Sequence, residues 1–151
     1  MLYDCFMILD ELDLLEIRLH ILDPLVDKFV ITEATTTQMG APKPLVYDRY
    51  RDRFSKFHNK IIYNVCDDHS SFKNQWERER FQRNYIINGI KEANDADVAI
   101  FSDLDEIPNP LQISDVLSHF EDKTIYHFAQ RMFNFYFNYE NIKNKLLSSS
   151  G

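Results

Sequence analysis

Six consecutive residues, Ser102-Asp103-Leu104-Asp105-Glu106-Ile107, concentrate the groups of this chain best suited to chemistry. They follow the short apolar run Val98-Ala99-Ile100-Phe101, which reads as a buried strand, and Pro108 and Pro110 stop any continuation. Side chains alternate along a strand, so extended backbone through this segment predicts Asp103 and Asp105 on one side and Glu106 on the other. Two neighbouring carboxylates are costly unless a cation holds them. Oxygen donors of this kind suit Mg²⁺ or Mn²⁺, which keep coordination positions for phosphate oxygens. The plainer alternative is a strand that ends in an acidic, solvated turn.

The elements that must position these residues follow from hydrophobic spacing. Tyr3 to Leu9 reads as a first strand. Leu12, Leu15, Leu19 and Leu22 form a helical stripe, with Asp10 as its expected N-cap and Asp23-Pro24 as its end. Lys28 to Glu33 is a second strand, Tyr47 to Phe57 a charged aromatic helical segment, and Lys60 to Val65 a third strand. Gln75 to Ala93 is expected as one long helix, Asp97 to Ser102 as the fourth strand, and Leu111 to Phe120 as a helix started by Asn109 or Ser114. Thr124 to Ala129 and Met132 to Tyr139 read as two further strands. Alternation of strands and helices predicts an α/β fold, a mostly parallel sheet flanked by helices. Ligands of such sheets bind beyond the carboxyl ends of the strands, where Glu33, Asp103 and Asp105 all fall.

Two further constellations belong with that sheet edge. On a helical projection Trp76, Arg83, Ile86, Ile87 and Ile90 share one face of the long helix, which predicts a guanidinium in an apolar stripe. Such a charge needs a partner: Glu79 one turn earlier, or else a ligand phosphate or one of the acidic residues at the strand ends. Glu33, ahead of Thr35, Thr36 and Thr37, is placed to accept from a ribose hydroxyl or a base N–H, or else to end its strand in a solvated threonine turn. The alternation of Phe133, Phe135, Phe137 and Tyr139 against Asn134, Tyr136 and Asn138 is that of a half-buried strand or of a sugar-stacking surface.

Composition sets the bounds. The 151 residues suffice for a real core, with 44% hydrophobic and 14% aromatic residues. A net charge of -7 argues against nucleic-acid binding but leaves nucleotides open, because a metal can supply positive charge. Two cysteines make no disulfide framework, and no basic, apolar leader precedes the first strand, so a reducing, cytoplasmic setting is expected. No apolar run reaches the length of a membrane span. The five histidines lack metal-ligand spacing, and neither a Gly-rich phosphate loop nor a nucleophile elbow is present.

Four blocks taken together, YDCFMILDELDLLEIRLHIL, FVITEATTTQMGAPKPL, WERERFQRN and IFSDLDEIPNP, resemble glycosyltransferase family 17 across roughly residues 2 to 140. The resemblance implies a GT-A fold, an inverting mechanism, a UDP-GlcNAc donor, a divalent metal and a mannose-type glycan acceptor. By that likeness Asp103 and Asp105 match the metal-binding Asp-x-Asp, with Asp103 also near the ribose. Arg83 and Asn84 match an Arg-Asn pair beside the nucleotide, and Glu33 matches a strand-end acid that reads uridine. Residues 1–140 are then expected as a GT-A-like nucleotide-sugar-binding domain, and 141–151 as a frayed tail. GT-A catalytic domains are usually longer than this chain, so an N-terminal portion is expected, with the general base unassigned and Glu106 its weak candidate. The rivals are a UDP-sugar-binding module without catalysis and a HAD-type phosphatase. The latter prefers a threonine where Ile107 stands, and its motif on the first strand.

Overall fold

Near-continuous burial marks Leu2–Ile8 and Lys28–Ala34 as strands enclosed on both faces, as parallel sheets require. The computed structural model describes residues 1–67, 72–133 and 140. It divides into two compact units, Met1–Ile107 and Pro108–Gly151.

The first unit runs β1 (Leu2–Ile8), α1 (Leu12–Leu22), β2 (Lys28–Ala34), α2 (Val46–Tyr50), β3 (Ile61–Cys66), α3 (Gln75–Tyr85) and β4 (Val98–Phe101). Short 3-10 helices extend α2 over Arg51–Phe57 and α3 over Ile86–Ile90. The strands form one sheet in the order β3-β2-β1-β4, and every pairing is parallel. Cys5 of β1 stands opposite Val30 of β2 and Phe101 of β4, which fixes the register at the sheet centre. The expected α/β architecture with a parallel sheet is therefore present.

Alternation along β1 assigns the layers. Tyr3 and Cys5 pack with Val30 and Ile86 on one face, joined by Met7 and Ile90. Asp4 and Phe6 face the other side, where Arg18 of α1 meets both. Phe57 packs edge-on to Phe29 on that same α1 side. Helices thus cover both faces, and the chain reverses its direction of travel across the sheet between β1 and β4. That reversal opens a crevice at the carboxyl ends of these two strands.

Three local expectations need correction. The helix from Gln75 stops being α-helical at Tyr85, because β-branched Ile86 and Ile87 and then Asn88-Gly89 are poor helix formers. The tighter 3-10 turn lets Gly89 touch β2: a Cβ there would lie 2.2 Å from Val30 Cγ1. Asp10 is not the N-cap of α1; Glu11 holds that position, and its carboxylate accepts from the Leu9 and Asp10 N–H groups at 3.1 Å. In the second unit, α4 (Pro110–Ser118) is capped by Asn109, whose side chain accepts from Leu111 N–H at 2.9 Å, with Pro110 at the first helical position. Thr124 to Ala129 is not a strand: these residues pair with no strand among the described residues, and an extended segment needs such a partner. Residues 134–139 of the expected last strand, and the tail 141–151, lie outside the described residues.

Candidate functional site

The crevice holds a cavity of about 520 Å³. Ile8 and Leu9 from the end of β1, Thr32 and Ala34 from β2, and Gln82 and Arg83 from α3 form its walls, and Asp103 and Asp105 enter from the segment after β4. A loop over residues 36–43 closes one side, folded back by the Thr36–Pro42 bridge. Gly40 supplies the positive φ (85°) that this reversal needs, and Met39 stands 80% exposed at the cavity edge.

Asp103 and Asp105 do share the cavity, but not by the expected route. The strand ends at Phe101, and Asp103 to Glu106 is a turn closed by Glu106 N–H donating to the Asp103 carbonyl at 3.0 Å. Strand alternation does not apply in a turn. Instead Leu104 is buried as the anchor, and the two flanking aspartates are left exposed. Glu106 turns back on the same turn: its carboxylate faces Asp103 N–H at 3.4 Å, and it does not line the cavity.

What sequence reasoning missed is the group beneath the turn. Arg18, with no exposed surface, donates through Nε and Nη2 to both carboxylate oxygens of Asp4, at 2.9 and 2.7 Å. Its remaining N–H groups reach Ser102 Oγ at 2.6 Å and the carbonyls of Asp103, Leu104 and Glu106 at 2.7, 3.2 and 3.4 Å. Asp4 is equally buried, in the central strand. Two signals were available: a charge inside an apolar strand, and an arginine one helical turn from both Leu15 and Leu22 in the leucine stripe.

Arg83, expected in an apolar stripe, is nearly half exposed, and Trp76 and Ile87 on the same line are 67% and 58% exposed. Only Ile86 and Ile90, in the 3-10 turn beyond α3, pack on the sheet, so the stripe does not run the length of the segment. Arg83 bridges both of its anticipated kinds of partner, Asp103 at 2.8 Å and Glu79 at 3.3 Å. Partial burial works against its charge, but Asp103 first and then Glu79 outweigh it and hold the guanidinium above its ordinary range. Asn84 is exposed and does not line the cavity.

Glu33 has a different placement from a nucleoside-reading acid. Its fully buried carboxylate accepts from Lys43 Nζ (2.6 Å), Val46 N–H (2.6 Å), Tyr47 N–H (3.0 Å) and the Tyr63 hydroxyl (2.8 Å). Four donors saturate it, and two of them are the first amides of α2. The structure therefore gives Glu33 the work of tying β2, β3 and α2 together.

Among the described residues no cluster of three or more histidine, cysteine or acidic side chains could hold a metal. The exposed, oxygen-only pair Asp103 and Asp105 fits a hard divalent cation that takes its other ligands from phosphate and water. Asp105 makes no hydrogen bond or ion pair with the described residues, whereas Asp103 spends one oxygen on Arg83. No helix among the described residues is long and apolar enough to cross a membrane.

The chain matches Glycosyltransferase family 17 over residues 1–148. It is 30% identical over 106 residues to the beta-1,4-mannosyl-glycoprotein 4-beta-N-acetylglucosaminyltransferase of Homo sapiens, which covers 65% of this chain and 20% of that protein. The Rattus norvegicus and Mus musculus proteins of the same name are 30% and 29% identical over the same extents. The chain thus spans about one fifth of the length of these curated relatives. No solved structure matches it. With its match running almost from end to end, the chain belongs to glycosyltransferase family 17.

Proposed function

We propose that this chain is the donor-binding part of a GT-A-type N-acetylglucosaminyltransferase that moves GlcNAc from UDP-GlcNAc, with inversion, to a mannose-type glycan. One observation carries the reading: Asp103, Asp105 and Arg83 meet at one cavity beyond the carboxyl ends of β1 and β4. Asp103 and Asp105 would hold Mn²⁺ or Mg²⁺, which supplies Lewis-acid neutralisation of a diphosphate leaving group. Arg83 orients Asp103 and adds a second positive charge beside that diphosphate. Ile8 and Leu9 give the cavity an apolar wall at the end of β1, and Thr32 and Gln82 line it from β2 and α3. Family membership speaks against the HAD-type phosphatase, as does an acidic motif that follows the fourth strand instead of the first.

Calorimetric titration with UDP, with and without Mn²⁺, tests the reading. UDP binding is expected to tighten at least tenfold with the metal, about 1.4 kcal/mol, and Asp105→Ala to remove that gain. Equal affinity with and without metal would sink the proposal.

A further inference from the structure

Among the described residues Arg18 is the largest side chain with no solvent exposure, and the cavity walls do not include it. Stability alone is a weak reason for its presence, since a buried ion pair seldom outperforms a well-packed apolar pair. Its geometry offers a stronger one. Asp4 occupies one edge of the guanidinium, and the rest of its donor fork is aimed at a single segment, Ser102 and the carbonyls of Asp103, Leu104 and Glu106. Three carbonyl oxygens converging on one cation fix the backbone of the turn from beneath. With the carbonyls held inward and Leu104 buried beside them, the Asp103 and Asp105 side chains are left to the cavity. Asp4, in the central strand, references the whole arrangement to the sheet.

We infer that Arg18 is a positioning residue for the Asp103–Asp105 site, holding the turn so that both carboxylates are presented together to a divalent cation and its diphosphate. The inference rests on the donor-site reading above. Lysine at position 18 can still neutralise Asp4, but its point charge lacks the planar fork that spans carboxylate and turn at once.

The test uses the whole 151-residue chain and two variants, Arg18→Lys and the double change Asp4→Leu with Arg18→Met, which removes both buried charges together. Amide hydrogen exchange is read with no ligand present, and UDP titrations are run with and without Mn²⁺. In both variants the Glu106 amide should exchange at least tenfold faster, while ladder amides between β1 and β2 keep their wild-type rates. The manganese-dependent gain in UDP affinity should fall at least tenfold, with metal-free UDP affinity unchanged. Unchanged protection of the turn in both variants overturns the inference. So does a loosened turn with the manganese gain intact, or turn and sheet amides accelerating together, which marks a merely structural role. A wild-type chain with no manganese-dependent gain overturns the donor-site reading and the positioning role with it, and the exchange arm then separately reports whether Arg18 holds the turn.

Discussion

Asp103 and Asp105 are two residues apart yet differ in what restrains them. Asp103 is held by Arg83 and through its own carbonyl by Arg18, while the Asp105 side chain stands unengaged among the described residues. The first is thereby pre-oriented and the second is left available to a ligand. Arg83→Met retains apolar bulk and removes the charge, so UDP affinity measured with Mn²⁺ should fall about tenfold, or roughly 1.4 kcal/mol. The melting temperature should move little, because half-exposed ion pairs contribute about 0–1 kcal/mol. A large loss of melting temperature at unchanged affinity would make Arg83 a brace for α3. Cys5 carries a different consequence. Burial first, and then the neighbouring Asp4, push its thiol from near 9 up to about 12. The unfolded chain therefore ionises at lower pH than the folded one. The associated stability is fully present below about pH 9 and is lost as pH rises toward 12, at a slope of about 1.4 kcal/mol per pH unit. Urea unfolding of wild type and Cys5→Ala at pH 8, 9 and 10.5 checks this. Their stability difference should shift in favour of the variant above pH 9, and a constant difference would contradict the shift.

At the scale of elements, the cavity depends on joints at the ends of strands. Glu33 is one, closing β2 onto α2 and β3 through Lys43, Tyr63 and two α2 amides. Burial first, and then the bond to Glu33, lift the Tyr63 hydroxyl far above its ordinary range, so it stays a donor. Glu33→Ala leaves a nearly buried ammonium and two amides without their acceptor. A loss of about 2–4 kcal/mol is expected in urea unfolding, with UDP affinity within a few fold of wild type. If the variant were as stable as wild type and failed to bind UDP, the nucleoside-reading role would return. Gly89 is a second joint. Gly89→Ala drives a methyl into Val30, and thermal unfolding should register about 1–3 kcal/mol of destabilisation. Unchanged stability there would mean that the 3-10 helix can move off β2 at little cost.

For the whole molecule, an inverting transfer needs a base within about 3 Å of the acceptor hydroxyl. Glu106 faces its own turn, and of the acids lining the cavity Glu11 caps α1 while Glu79 pairs with Arg83. The proposed function reserves Asp103 and Asp105 for a metal. Residues 1–151 by themselves are therefore expected to bind UDP-GlcNAc with Mn²⁺, to hydrolyse it slowly at most, and to transfer little or no GlcNAc to a mannose-type glycan. Product analysis by mass spectrometry distinguishes these outcomes. Efficient transfer by this polypeptide alone would contradict that expectation and return the search for the base to the acids of the chain, Glu106 and Glu140 first.

The parallel α/β order, the strand that leads into the acidic turn and the family were legible in the sequence, because each rests on local pattern: hydrophobic periods, breakers, and motif blocks in order. The pairing of Asp4 with Arg18, fourteen positions apart, and their reach to Ser102–Glu106 were not, because only the stacking of α1 on β1 and the placement of β4 beside it bring those groups together. The same holds for Glu33. Its type and strand-end position allowed a ligand contact, and the fold instead supplied four protein donors at hydrogen-bonding distance. Sequence determined which groups stand at the sheet edge. Tertiary packing decided which of them are spent on the fold and which remain for a ligand, since a buried polar group must take whichever partner the packing puts within reach.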